Sequence, residues 1–597
     1  MPRETSNIWR IGLYRKTENK DEAECTLCVE KGEKKTRIST KDWATSGLVT
    51  HLKAKHSETE YFKKFQTPDR TPSDNSQETG KLDKFIHVTC GAGLSVLDKK
   101  VINFVCSNLV SFKLLENPAT ISLLSHTSEC LKGESYYRKS VLPKAYEAVK
   151  SKILNELRAM EAMSFTTDIW SGPNDSYISL TAHGISKDWK GRNFVLCVRE
   201  FAGSHTGERV GAVVRAMLEE WAIPQEKCFM FLRDGGANMR KAFNLDSASD
   251  LESADCAAHL LNLVVKEGLK HPPVQKLLEK CRKIVTHFKQ SNLAKSAFKE
   301  IQIEEDLPEH VLLQDMPIRW NSAYFMCHRL IEQKTTVSQY AYQKERYDLN
   351  LTDTEWKCLS ELVELLKPLE ELTRLFCCSP ISVQYPYAVM TEKELERNFA
   401  SADINIAKEI FVKGLRDRFG HLNRNRELAI AQFLDPRFKD RYSTSTEEIK
   451  REVFVALQGM LTSTEADDED QIVEIPQKRA KGGLLDSFED SLASQLPMTK
   501  TASQEELQQE ITSYCAQARE KVKNDPLEYW KNATYNFPIL AKAARRYLSA
   551  TATSVASEGL FSTARDVFSY KRMSLRPRKA EMIIFLQRNL PLYNYKY

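Results

Sequence analysis

The sequence predicts a multidomain α+β protein: a small N-terminal metal finger, an α/β core interrupted by a large all-α segment, and a helical C-terminal region. Three observations predict it. A CTLC knuckle (Cys25, Cys28) is followed by HLKAKH (His51, His56), and thiolate and imidazole are the ligands tetrahedral zinc prefers. From about residue 160, helical spacing gives way to short β-rich runs separated by turn residues. Residues 270–450 return to long helical stretches such as VQKLLEKCRKIVTHFKQ.

Composition sets the outer bounds. At 597 residues the chain is too long for one hydrophobic core. Its 42% hydrophobic and 28% charged residues suit a globular protein. No apolar run reaches the roughly 18 residues of a membrane helix, so no membrane partner is expected. The start, MPRETSNIWRIGLYRK, lacks the apolar stretch of a secretory signal. The 14 Cys are scattered, which favours a reducing compartment over a disulfide framework. The net charge of +5 identifies no partner. Its distribution says more: from residue 541 onward Lys and Arg outnumber Asp and Glu eleven to three, which suits double-stranded DNA or a solvated helix face.

The elements follow in order. Residues 5–60 form the finger, with Cys25 and Cys28 on one side of the ion and His51 and His56 on the other. The loop between the pairs is longer than in an ordinary Cys2His2 finger. Trp9, Trp43 and Leu48 surround the ligands, and Lys34, Lys35, Arg37, Lys41, Lys53 and Lys55 offer phosphate contacts. Of these, Lys53 and Lys55 on the presumed helix are singled out for DNA. Residues 61–81 are a polar, Pro/Ser-rich linker, and 82–158 are helical. Residues 159–269 carry MSFTTDIW, SYISLTAHGIS and FVLCVREF as strands, TGERVGAVVRAMLEEWAI as an amphipathic helix, KCFMFLRDGG as a further strand and CAAHLLNLVVKEGLK as a helix. That is the order of an RNase H-like fold. Residues 270–505 begin with the long helical stretches, and a mobile loop is expected at about 463–510. QKRAKGG in that loop is a nuclear import signal or simply charged loop. Residues 511–597 are the helical C-terminal region.

Three acids then stand out: Asp168 in FTTDIWSGPNDSYISLTAHGIS, Asp234 in FMFLRDGGANMRKAF and Glu558 in TSVASEGLFSTARDVF. The first lies on the opening strand and the second follows the fourth. Two Asp and a distant Glu are what two-metal phosphodiester chemistry needs, because hard divalent cations prefer carboxylate oxygens. These neighbourhoods resemble the DDE core of hAT-superfamily DNA transposases. The finger, with its aromatic residues and HLxxxH ending, resembles a BED finger.

The resemblance implies that residues 270–505 are a helical insertion interrupting the RNase H-like core, that 511–597 complete the core and dimerise, and that single residues have specific roles. Structural Zn²⁺ is held by Cys25, Cys28, His51 and His56, and Mg²⁺ or Mn²⁺ by Asp168, Asp234 and Glu558. Cys256-Ala-Ala-His259 matches the family's CxxH motif, in which His259 assists cleavage or DNA handling. Arg319 and Trp320 match its RW motif, in which Trp320 stacks on a base as a hairpin forms. Terminal inverted repeats are bound and nicked, the freed 3′-OH makes a hairpin on flanking DNA, and the excised ends join a target. The C-terminal region supports a homodimer or higher oligomer, with Met582, Ile583, Phe585 and Leu586 packing across subunits or in the core. Localisation is nuclear. Three residues depart from the family pattern: Arg233 adds a cation beside Asp234, Gly235 stands where Asn is usual, and Gly559 where Arg is usual. An intact triad favours an enzyme. The departures favour a second reading, a domesticated nuclear DNA-binding transcription or chromatin regulator at a promoter site, some relatives of that kind having SUMO-ligase-type activity.

Overall fold

The computed structural model describes residues 8, 12–18, 21–33, 36–40, 45–62, 93–124, 131–171, 176–243, 252–316, 319–465, 500–567 and 575–597. Trp9, Trp43, Lys34, Lys35, Lys41, the QKRAKGG stretch and all but the first residues of the 61–81 linker lie outside them. The chain divides into two units, residues 1–86 and 87–597.

In the first unit, β1 (Tyr14–Lys16), β2 (Glu22–Cys25) and β3 (Arg37–Ser39) form an antiparallel sheet. A short helix, Thr26–Glu30, carries Cys28, and a longer one, Ser46–Lys55, carries His51 and ends at His56. The buried apolar set is small: Ile8, Leu13, Tyr14, Ala23, Leu48 and Leu52, with both cysteines among them. A core of this size is marginal without a further staple.

The second unit is built on a five-stranded sheet in the order β6-β5-β4-β7-β8. β4 (Met163–Ser171), β5 (Ser176–Ile185) and β6 (Gly191–Glu200) are an antiparallel meander. β7 (Cys228–Arg233) and β8 (Ser253–Asp255) run parallel to β4. The parallel step from β6 to β7 requires a crossover, which the helix Gly207–Glu220 supplies. Gly207 and Gly211 let that helix approach the helix Ala237–Phe243. A Cβ on Gly207 would meet Lys241 Cβ at 2.7 Å, and one on Gly211 would meet the Ala242 carbonyl at 2.8 Å. After β8 and the helix Ala257–Leu269 come the long helices, including Pro272–Gln290, Asp353–Cys377 and Ala402–Phe419.

One expectation changes here. The loop expected at 463–510 is helical at both ends, in Thr446–Glu465 and Lys500–Ala516. Leu507, Ile511 and Tyr514 recur at helical spacing and are fully buried. The Glu510 carboxylate accepts from the Ile539 and Leu540 amides at 3.2 and 2.9 Å, at the start of the helix Pro538–Tyr547. Polar composition hid this packed face. Of the two placements open to Met582, Ile583, Phe585 and Leu586, on the helix Pro577–Asn589, the structure shows the core of their own chain, beside β6 and the helices Val96–Ser107 and Leu142–Ala159. These four leave no apolar surface for a partner subunit. No helix among the described residues is long and apolar enough to cross a membrane.

Candidate metal centre and acidic site

The finger's ligands converge. Cys25 Sγ lies 3.3 Å from His56 Nε2, Cys28 Sγ lies 3.3 Å from both His51 Nε2 and His56 Nε2, and the two Nε2 atoms are 3.2 Å apart. Metal bonds of about 2.0–2.3 Å in a tetrahedron give edges of about 3.3–3.8 Å, so the four atoms suit one zinc ion. Burial holds both imidazoles below their ordinary pKa, in the neutral form that ligates. Burial and the neighbouring Cys25 push the metal-free Cys28 thiol up to about 12, so ionised ligands need a cation to persist there. Among the described residues this is the only set of three or more His, Cys, Asp or Glu whose ligand atoms all lie within 4.8 Å of one another. Lys53 and Lys55 are exposed on the finger helix, Lys55 pairing with Glu33 at 3.4 Å. Arg37 faces Glu22 and Glu24 across the sheet at 4.0 and 3.9 Å.

The acids are assembled by strand register. Thr166 on β4 is opposite Leu232 on the parallel β7. Two residues further on, on the same face because side chains alternate, stand Asp168 and Asp234. Glu558 arrives on the helix Val555–Val567, which lies over that face. Ser557 Oγ is 2.6 Å from Thr166 Oγ1, and the Phe561 ring stacks on Trp170 at 6.3 Å. One strand thus holds the helix on both sides of Asp168. Burial, then the charges of Asp234 and Glu558, raise the Asp168 carboxyl to about 7 against a smaller opposing contribution from the Ile169 amide. The three acids therefore share a field, yet their oxygens do not all fall within the 4.8 Å of the finger set.

The Ser557–Thr166 contact begins a buried chain that motif reading missed. Thr166 Oγ1 is 2.5 Å from Thr181 Oγ1, which is 2.7 Å from His183 Nε2, and His183 Nδ1 is 2.8 Å from Asn193 Oδ1. Burial lowers His183 to about 4, so the ring is neutral. With Nδ1–H donating to the Asn193 carbonyl oxygen, Nε2 must accept. The hydroxyls then donate in one direction, from Ser557 to Thr166 to Thr181 to His183.

Cys256 and His259 stand where β8 passes into the helix Ala257–Leu269. Cys256 is fully buried and its sulfur accepts from the Ser554 amide at 3.3 Å, while the Ala257 amide donates to the Ala552 carbonyl at 3.0 Å. The chain entering the Glu558 helix is thereby tied to the end of β8. Gln384 Nε2 joins the same junction, donating to the carbonyls of Ala552 at 2.8 Å and Asp255 at 3.2 Å. His259 lies beside Gly235, its ring carbon 3.5 Å from the position of a Cβ there.

Arg319 is exposed and reaches Glu558 at 3.9 Å. Trp320 is only 4% exposed and packs in the helical core, so its ring meets a base only by leaving that core. The departures also find their places. Arg233 is buried, and its guanidinium donates to Asp255 and to the Asp234 backbone carbonyl rather than to the Asp234 carboxylate. At Gly559 a guanidinium comes from elsewhere: Arg588, on the helix Pro577–Asn589, donates to the Gly559 carbonyl and to Thr563 Oγ1.

An RNase-like sheet with acids gathered at one end, in a chain that opens with a Cys2His2 finger, defines a class. Three family models match it: the ZBED1 RNase-like domain over residues 166–249, the ZBED1 RNase-like helical domain over 254–365, and the hAT family C-terminal dimerisation region over 510–590. Zinc finger BED domain-containing protein 4 of Homo sapiens is 25% identical over 96% of this chain and 50% of its own length. "Putative transcriptional regulator tpeD" of Talaromyces stipitatus is 23% identical over 82% of this chain and 61% of its own. "Putative AC transposase" of Zea mays is 25% identical over 90% and 70%. The chain thus spans between half and seven-tenths of the length of these relatives. In these stretches it is similar to the hAT transposases and to BED zinc-finger proteins.

Proposed function

We propose that the chain is a hAT-type DNA transposase that cuts and rejoins DNA with divalent cations held by Asp168, Asp234 and Glu558. One observation carries the reading: carboxylates far apart in sequence come together at one end of a sheet, close enough for two of them to raise the pKa of the third. Mutually repelling, partly buried carboxylates suit hard divalent cations. Mg²⁺ or Mn²⁺ there would supply Lewis-acid stabilisation of the attacking and leaving oxygens.

The chain's own residues hold the reacting strand. Ser557 and Trp170 keep the Glu558 helix on β4, His259 handles DNA beside Asp234, and exposed Arg319, beside Glu558, meets phosphate. The finger, loaded with zinc, binds terminal inverted repeats, with Lys53 and Lys55 facing DNA. Nicking, hairpin formation on flanking DNA and joining of the excised ends follow, in the nucleus and in a homodimer or higher oligomer. The second reading, a domesticated nuclear DNA-binding regulator, is favoured by the Arg319–Glu558 pair and by Trp320 in the core, which leave the site engaged with itself.

The test is strand cleavage of DNA carrying the gene's own flanking sequences, with Mg²⁺ or Mn²⁺. Nicks and hairpins are expected from the natural chain, and at least about a thousandfold less from Glu558→Ala, equivalent to about 4 kcal/mol of transition-state stabilisation. Cleavage retained by the variant sinks the site. Zinc-dependent binding of the same DNA without any cleavage by the natural chain selects the regulator.

A further inference from the structure

We propose that Arg240, together with His259, forms a phosphodiester-binding contact over Gly235, beside Asp234. The inference rests on the reading of the core as a DNA-handling site and names a residue that no motif assigns. Charge is unbalanced at this place. Asp255, the last residue of β8, accepts from two guanidinium groups, Arg233 on Oδ1 and Arg240 on Oδ2, the latter at 2.8 Å. One carboxylate cannot neutralise two permanent cations, so the trio carries a net positive charge. The Arg233 side chain is 7% exposed and that of Arg240 52%, so the surplus charge meets solvent at Arg240.

Its direction is set as well. A Cβ on Gly235 would lie 3.5 Å from Arg240 Nη2, and 3.5 and 3.7 Å from His259 Cδ2 and Nε2. Guanidinium and imidazole therefore converge above a residue with no side chain, next in the chain to Asp234. Bare backbone allows close approach of a bulky ligand. Arg240 spends one of its five N–H donors on Asp255, which leaves donors for a phosphate. The adjacent Lys241 is not equivalent, because its charge is matched by Glu208 at 2.5 Å.

The geometry joins two departures from the family pattern into one device. Buried Arg233 fixes Asp255, Asp255 aims Arg240, and Gly235 leaves the space into which Arg240 points. An Asn side chain at 235, its Cβ already in contact with both groups, would fill the space over the backbone that a phosphate needs. A cation there draws a phosphodiester toward acids that would otherwise repel it.

The experiment is the salt dependence of binding of the full chain to a mixed-sequence DNA duplex, followed by anisotropy, beside a cleavage assay on the same proteins. Loss of one phosphate contact in Arg240→Ala should lower the magnitude of the log–log salt slope by about 0.9. Arg240→Lys keeps the charge and should keep the slope. Gly235→Asn, with Arg240 intact, should lose slope as Arg240→Ala does. Unchanged thermal melting of the exposed-site variants separates this from misfolding. Arg240→Ala binding with the natural slope overturns the contact, even if the natural chain cuts DNA. A reduced slope in a protein that never cuts DNA leaves the contact standing and removes the strand-cleavage reading.

Discussion

The finger and the sheet core both gather metal-type ligands, by opposite means. The finger's four ligands come from one short stretch, Cys25 to His56, and meet within 4.8 Å around a handful of buried apolar residues. The core's acids come from Asp168, Asp234 and Glu558, and only a sheet, a crossover and returning helices bring them together. In the finger the ligands are a large part of the core, so the ion and the fold stand or fall together. In the core the fold exists first and bears the cost of the acids, as the raised Asp168 carboxyl records. Ligands close in sequence can rely on a metal to fold them. Ligands distant in sequence need a scaffold stable enough to hold them against their own repulsion.

The comparison can be broken most severely at Cys28. Cys28→Ser should abolish zinc binding and unfold the finger, since zinc coordination in such units contributes about 10–16 kcal/mol to folding. The melting transition of the 87–597 unit should not move. Metal analysis of the purified protein and calorimetry on the same sample check both halves, and a shifted core transition would break the contrast.

Asp168→Asn tests the other side. The folded carboxyl is raised from 3.8 to about 7, so the folded state binds its proton more tightly than the unfolded chain. Stability from this group is present below pH of about 4, falls as pH rises to about 7, and stays lost above it. In metal-free buffer the variant should therefore match the natural chain near pH 4 and melt a few degrees higher at pH 8. Adding Mg²⁺ or Mn²⁺ should narrow the gap, because only the natural site gains a cation. Equal melting temperatures at both pH values would mean that the acids bear no such strain.

A smaller effect is expected at Thr166→Val, which removes a fully buried hydroxyl from the chain joining Ser557 to His183. The loss should be about 1–3 kcal/mol by denaturant unfolding. Its energetic coupling to Ser557→Ala in a double-mutant cycle would show that the two act together. The smallest change is Gly559→Ala. Nothing lies within 4 Å of a Cβ there, and replacing a glycine inside a helix should stabilise the protein by about 0.5–1 kcal/mol. A loss instead would mean that the Arg588 contact needs the bare backbone.

Much of this was legible in the residues. The CxxC and HLKAKH ligands, the strands around Asp168 and before Asp234, and the long central helices could be read because each is a local pattern: ligand chemistry at short spacing, β-rich runs, helical periodicity. β8 was not legible, since three residues carry no periodicity and Ser253–Asp255 became a strand only by pairing with β7. The helix Lys500–Ala516 was hidden by its Ser/Gln composition until Leu507, Ile511 and Tyr514 found a surface to cover. Ser557 could be seen as part of a motif, but not that it would bond Thr166.

By itself, then, the sequence determined the chemistry on offer: zinc-type thiols and imidazoles in one stretch, three acids in recognisable settings, and the cations and glycines around them. Tertiary structure alone decided the use made of them. It paired Arg233 with Asp255 rather than with the Asp234 carboxylate, put Trp320 in the core, buried the C-terminal apolar residues within their own chain and brought Arg588 to Gly559. The physical reason is range. Periodicity and ligand type are set by neighbours in the chain, whereas burial and charge pairing depend on which distant surfaces the whole fold presses together.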